Sequence, residues 1–369
     1  MTFRIPLSAP DITQAEIDAV TDVLRTPHLS LGPQLSAFES ALAAYHGVPH
    51  AVAVSSGTAG LHIALLTLGI CPGHEVIIPS FTFIAVANAV IQAGATPVFA
   101  DIDPVTLNLD PASVMAAITQ RTRVIILVHT FGIPAQMDQL HDLAAQHNLA
   151  ILEDACEAIG ATFQQKPVGI LGDLSVFGFY PNKQMTTGEG GAVLTRSAAH
   201  AARLRSLRNQ GRTGTEWLDH AEHGYNYRLS EMACALGCVQ LNRLPEMLAL
   251  RQAAAERYLA LLADIPGIEL PPSRLPQRTI SWFVFVIRMP DGPSRDRAQA
   301  QLALRSIASG RYFAPIHLQP AWRNHPQARV SLPITQAIAP RLLALPLFNR
   351  ITEEQQREIA NALAEIAIS

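Results

Sequence analysis

The stretch AVAVSSGTAGLHIALL, residues 51–66, decides the class of fold. Its first four residues form a continuous apolar run of strand length. Ser55, Ser56 and Gly57 break that run with small turn-forming residues, and from Ala59 the apolar positions recur at the three- and four-residue spacing of a helix. A strand that turns directly into a helix is the first half of a βαβ unit. The rhythm continues downstream: apolar runs start at VII 76, PVFA 97, VIILV 124, LAIL 149 and SVFGF 175, with helix-patterned segments at 59–69, 85–94 and 135–148. Near-continuous apolar strands fit a sheet covered on both faces. The expected class is therefore α/β, with a large domain of mostly parallel sheet covered by helices.

The rhythm changes after residue 265. A long helical stretch over 227–265 is expected to be interrupted near Pro245. The Pro-rich segment IPGIELPPSRLPQ (265–277) then leads into SWFVFVIRM (281–289), an alternating strand, and the chain closes on a helix, TEEQQREIANALAEIA (352–367). This pattern predicts a large domain over 1–245 and a smaller C-terminal α+β domain over 246–369. A chain of 369 residues is long enough for each to bury its own core.

Composition excludes several classes. The 27 basic and 30 acidic side chains leave a net charge of -3 with no long block of either sign, so there is no footprint for nucleic acid. Although 49% of residues are hydrophobic, their runs fall far short of the roughly 18 a membrane span needs. The amino terminus lacks an apolar signal core and four cysteines are too few for a disulfide framework, so a cytoplasmic protein is expected. Cys234 and Cys238 share a helix face but have no accompanying metal motif, and the reading is core packing with no metal site.

Three places carry chemistry. Ser56, Gly57, Thr58 and Ala59 stand where a strand meets a helix, which is either a capped turn or an anion site built from free N–H groups and the helix dipole. It is neither a Walker loop nor a GxGxxG fingerprint, which disfavours a nicotinamide oxidoreductase. In AILEDACEAIGA (150–161), Asp154 and Glu157 follow a buried strand, where ligands of open α/β sheets gather. Asp154 is either a helix cap or the partner of a protonated heterocyclic nitrogen. In FGFYPNKQMTTGEGG (177–191), Lys183 lies between an aromatic-rich strand and a glycine-rich turn. It is either a solvated surface charge or a partly desolvated amine that attacks an aldehyde. An anion site, a carboxylate and an amine are the three groups that pyridoxal 5'-phosphate requires.

The ordered motifs LGPQLSAFE (31–39), SSGTAGLHIAL, PSFTFIAVANAV, GATPVFADID, VHTFGIPAQMD, EDACEAIGA, NKQMTTGEGG, GYNYRLSEMACALG and YFAPIHLQP (312–320) cover nearly the whole chain. With them the sequence resembles the DegT/DnrJ/StrS sugar aminotransferase family, pyridoxal-phosphate enzymes of aspartate aminotransferase fold (fold type I). The resemblance implies that Lys183 carries the cofactor and shuttles the proton, and that Asp154 keeps the pyridine nitrogen protonated. It gives the phosphate to Gly57, Thr58 and Ala59, with Ser56 in support, and ring stacking to Phe83. Asn226 would reach the phosphate from the neighbouring subunit, implying a homodimer with shared active sites. Arg228, Tyr312 and His317 fall at substrate-side positions.

Two departures from the family pattern stand out. Gly178 replaces a serine that often binds phosphate, and Glu157 replaces a frequent glutamine near the cofactor's phenolic oxygen, where it hydrogen-bonds only if one partner holds a proton. The implied reaction moves an amino group from an amino acid, by analogy glutamate, to a nucleotide-linked ketosugar. The GEGG at 188–191 is similar to members acting at C4 of a 4-keto-6-deoxyhexose. A sugar dehydratase of the same family would carry histidine in place of Lys183; a regulatory or sugar-binding module would bind cofactor without turnover.

Overall fold

The computed structural model describes residues 3–214 and 218–368. Two helices, α1 (Gln14–Leu24) and α2 (Pro33–His46), precede the first strand, β1 (His50–Val54). The chain then alternates through α3 (Gly57–Thr67), β2 (Glu75–Pro79), α4 (Ala85–Gln92), β3 (Thr96–Ala100), α5 (Pro111–Ala117), β4 (Thr122–Val128), α6 (Met137–His147) and β5 (Ala150–Asp154). Short strands β6 (Thr162–Phe163) and β7 (Lys166–Pro167) precede β8 (Leu174–Gly178) and β9 (Gly191–Thr195). The seven long strands form one sheet in the order β1-β9-β8-β5-β4-β2-β3, parallel except for β9, which runs antiparallel to both neighbours.

The alternation of side chains along each strand explains why both faces are covered. Val124, Ile126 and Val128 of β4 join a core with Leu61 and Ile63 of α3 and Val90 of α4, while Ile125 and Leu127 pack with Val114 of α5 and Leu140 of α6. Each such side chain, fully buried, contributes about 1.5–3 kcal/mol. Strand β9 was not foreseen in the sequence, and Gly191 makes it possible. A Cβ there would lie 2.7 Å from the Ser56 carbonyl carbon and 2.8 Å from the Gly57 nitrogen, so only glycine lets β9 pass against the turn that starts α3.

After α7 (Ala198–Arg208), helix α8 (Glu231–Leu262) runs unbroken through Pro245. The interruption expected there is absent, because packing on both sides of the proline outweighs the one backbone bond it removes. Cys234, Leu241, Leu244 and Met247 of α8 enter the core beneath the large sheet, with Cys238 packed against it; Ala254, Ala255, Tyr258 and Leu262 enter a second core. The boundary expected between residues 245 and 246 thus lies inside a helix that joins two cores.

The second core belongs to an antiparallel pair, β11 (Phe285–Arg288) and β12 (Leu342–Leu345), packed against α9 (Gly292–Leu304) and α11 (Glu353–Ile368). Strand β10 (Arg278–Thr279) pairs with β6, and α10 (Pro333–Ile338) precedes β12. The strand expected over 281–289 is ladder-paired only over Phe285–Arg288, and residues 281–284 are irregular, with a bend at Phe283. Among the described residues no helix is long and apolar enough to cross a membrane.

Candidate active site

The carboxyl ends of β1, β4, β5 and β8 open onto a cavity of about 520 Å³. Ser56, Gly57, Thr58, Phe83, Asp154, Glu157, Lys183 and Tyr312 all line it. One wall is the start of α3. Ser56 is its N-cap, and its Oγ accepts the Ala59 N–H at 3.0 Å. The Gly57 and Thr58 amides, the first two of the helix, make no protein hydrogen bond among the described residues. Free amides at the positive end of a helix dipole favour an anion.

Asp154 ends β5 in the cavity wall, 7% exposed, and its Oδ1 accepts the Cys156 N–H at 3.1 Å. Among the described residues it has no ion-pair partner. A buried carboxylate satisfied by one neutral donor is a site for a cation that a ligand brings. Lys183 follows β8 on a turn in which its N–H donates to the Tyr180 carbonyl at 2.9 Å. Its Nζ lies 3.6 Å from Glu157 Oε1 and 4.0 Å from the centre of the Phe283 ring. The chemistry of this donor set, an anion pocket, a cation-seeking carboxylate and a sheltered amine, fits pyridoxal phosphate. Asn182 Oδ1, a buried acceptor in the same wall without a protein partner, adds a polar contact for a ligand.

Glu157 is buried, and its Oε2 accepts the Phe131 N–H at 2.9 Å. Phe131 itself holds φ at 58°, a left-handed conformation unusual for an aromatic residue. Burial raises the Glu157 carboxyl above its usual range and nearby Asp154 adds to this, against the opposing pull of Lys183 and the Phe131 N–H. A raised carboxyl holds a proton more readily, the direction that this departure from glutamine needs. With its folded value above its unfolded one, Glu157 weakens the fold as pH rises out of the ordinary carboxylate range and through the raised value. Glu157→Gln retains an oxygen for the Phe131 N–H. Its melting temperature is expected to match that of the wild type near pH 4 and to exceed it by roughly 1–3 °C at pH 8. An equal difference at both pH values, in thermal melts of the two proteins, contradicts the raised carboxyl.

The structure also accounts for Gly178. A Cβ at this position would meet Cys156 Sγ at 3.2 Å and Cys156 Cβ at 3.4 Å, and one at Gly57 would meet the same Sγ at 2.9 Å. The volume of the missing serine side chain is thus held by Cys156, which lines the cavity. Burial and the neighbouring carboxylates push its thiol well above the usual range, so it stays a neutral S–H group. Gly178→Ser is expected to lose about 1–3 kcal/mol of stability by overpacking, and Cys156→Ala in the same chain is expected to restore most of it. Denaturant titration of the two single variants and the double variant measures the coupling.

Four sequence-predicted residues fall outside the cavity of this chain. Ala59 is buried at the third position of the helix, its amide already capped by Ser56. Asn226 is exposed and bridges to Asn209 through the backbone, and Arg228 donates to Asn209 Oδ1 at 3.0 Å. His317 is buried, with Nδ1 2.6 Å from Ser80 Oγ, and burial lowers its pKa. Residues missed in the sequence but lining the cavity include Cys156, Phe283, Phe313 and Glu189. Only two of the 27 basic side chains in the chain are lysines, Lys183 and the exposed Lys166.

Comparison with known proteins follows the same lines. GDP-perosamine synthase of Caulobacter vibrioides (strain ATCC 19089 / CIP 103742 / CB 15) is 39% identical over 369 residues, 99% of either chain. The crystal structure of DesV from S. venezuelae, in complex with ketimine intermediate, superposes with a TM-score of 0.93 at 38% identity over 100% of both chains. The PMP-form of a sugar aminotransferase, Spr1654 from Streptococcus pneumoniae, gives a TM-score of 0.94 at 29% identity over 99% of this chain and 98% of its own. The sequence pattern of one family spans residues 10–364, and with these relatives it shows that the chain belongs to the DegT/DnrJ/EryC1/StrS aminotransferase family.

Proposed function

We propose that the protein is a pyridoxal-phosphate-dependent aminotransferase that moves an amino group from glutamate to C4 of a nucleotide-linked 4-keto-6-deoxyhexose. The observation that carries this reading is the convergence of Lys183, Asp154 and the start of α3 on one cavity. When bound, the cofactor supplies an aldehyde and an electron-accepting ring. Asp154 would hold a proton on the ring nitrogen, as its lack of an ion-pair partner among the described residues supports. The Gly57 and Thr58 amides, with the Thr58 and Ser56 hydroxyls, would hold the phosphate, and Phe83 would contact the ring. Lys183 Nζ removes the donor's α-proton in the first half of the reaction and delivers a proton to the sugar carbon in the second. Glu157 keeps the amine within reach of the cavity while free of a fixed hydrogen bond, at 3.6 Å.

Asn226 and Arg228 lie away from the cavity of their own chain, which supports a homodimer in which they serve the other subunit's site. Tyr312, given a substrate-side role by its motif, lines the cavity and stacks near Phe283 with ring centres 6.3 Å apart. The C4 assignment rests on GEGG, whose Glu189 reaches the cavity. A GDP-linked sugar is the first candidate, in line with the name of the C. vibrioides relative. The test is incubation with glutamate and a panel of 3-keto and 4-keto nucleotide sugars, with products identified by mass and NMR. An amine at C4 is expected. An amine at C3 overturns the regiochemistry, and no amination of any nucleotide sugar overturns the substrate class.

A further inference from the structure

Arg251, on α8, is 1% exposed and has no carboxylate within ion-pair distance among the described residues. Its guanidinium instead serves three backbone carbonyls. Nη2 donates to Lys183 O at 3.1 Å, and Nη1 donates to Phe283 O at 3.1 Å and Trp282 O at 3.4 Å. Burial lowers its pKa to about 10, which still leaves it charged at neutral pH. An arginine buried without an anion is costly, and its retention here calls for a role that neutral residues do not fill.

The carbonyls it holds identify that role. Lys183 sits on the turn after β8 of the large sheet, while Trp282 and Phe283 belong to the irregular segment that leads into the small sheet at β11. The Phe283 ring is the surface on which Lys183 Nζ rests, 4.0 Å from its centre. One guanidinium therefore fixes the backbone of the amine and the backbone of its platform. Neighbouring contacts tighten the same seam: the Trp282 indole donates to Gln252 Oε1 at 2.9 Å, and Gln184 Nε2 donates to Ser281 Oγ at 3.0 Å and to Glu157 O at 2.6 Å.

We propose that Arg251 is a positioning residue, which sets the place of the Lys183 amine by clamping the Lys183 turn to the Phe283 segment. A planar fork can reach carbonyls on two segments at once, whereas the compact ammonium of a lysine is a single point charge. The proposal gains its importance for turnover from the proposed role of Lys183, but its geometric content stands apart from that role.

The chain's own composition supplies the test. With only two lysines, Lys183 and Lys166, trace acetylation of the full chain followed by peptide mass mapping gives a Lys183:Lys166 labelling ratio with a built-in reference. In Arg251→Lys the ratio is expected to rise by about threefold, the size of effect that loss of one cation–π contact produces, as the amine leaves the Phe283 ring for solvent. Phe283→Leu, which leaves Arg251 in place, is expected to raise the ratio similarly. Labelling needs no cofactor, so this result is independent of whether Lys183 carries one. A ratio unchanged in folded Arg251→Lys, even with a lowered melting temperature, overturns the proposal and reduces Arg251 to a structural residue. Should Arg251→Lys not fold, an unchanged ratio in Phe283→Leu overturns it on its own. With cofactor and substrates, a fall in kcat at constant KM is expected for Arg251→Lys; a rise in KM at constant kcat counts against positioning of the amine.

Discussion

Lys183→Ala is expected to lower kcat by about 10⁴-fold or more, since in the proposed mechanism it removes the attachment point of the cofactor and the group that moves the proton at both carbons. Folding should survive the change. The Lys183 side chain contacts the cavity, through Glu157 and Phe283, and is not part of any of the hydrophobic cores. Glu157, relieved of the Lys183 cation that pulls its carboxyl down, has its carboxyl raised further. Steady-state rates alongside far-ultraviolet circular dichroism check both halves of this expectation. Turnover within tenfold of the wild type in the folded variant would refute the assignment of Lys183.

Asp154→Asn is the second large effect. Asparagine keeps the size of the side chain and an oxygen for the Cys156 N–H, which now sits 3.1 Å from Oδ1, and removes only the charge. Leaving a buried cation without its carboxylate costs about 3–5 kcal/mol, or roughly 10²- to 10⁴-fold in kcat at 1.36 kcal/mol per factor of ten. The protein without cofactor should be no less stable than the wild type, because a buried and otherwise unpaired charge has been removed. A loss of stability without loss of kcat, seen by thermal melts and initial rates, would make Asp154 a structural cap.

The contrast between these residues and Arg251 shows where the sequence is readable. AVAVSSGTAGLHIALL carries its strand, turn and helix as a change of period from continuous to three-and-four, and observed β1 and α3 follow it within two residues. Lys183 and Asp154 stand beside strand ends, so chain position alone brings them toward the cavity. Arg251 sits in RQAAAERY, where a helical arginine reads as solvated surface; only the packing of α8 across two cores buries it. Phe283 and Cys156 are likewise defined by partners distant in sequence. Phe283 reaches the site because the small sheet sends its leading segment back to the large one, and Cys156 because Gly178 makes room on the next strand. His317, placed on the substrate side by its motif, is bonded to Ser80 behind the cavity lining, a contact its local pattern does not contain. The helix across Pro245 and the antiparallel β9 were hidden for the same reason, since each depends on neighbours that the local pattern does not contain.

The central claim is that one amine of this chain carries the cofactor, and the scarcity of lysine makes it directly measurable. The full chain is mixed with pyridoxal 5'-phosphate, reduced with borohydride, digested and mapped by mass spectrometry. Stoichiometric label on the peptide containing Lys183, with Lys166 unmodified, is the predicted result. Label confined to Lys166, or no stable label while the protein remains folded, would contradict it.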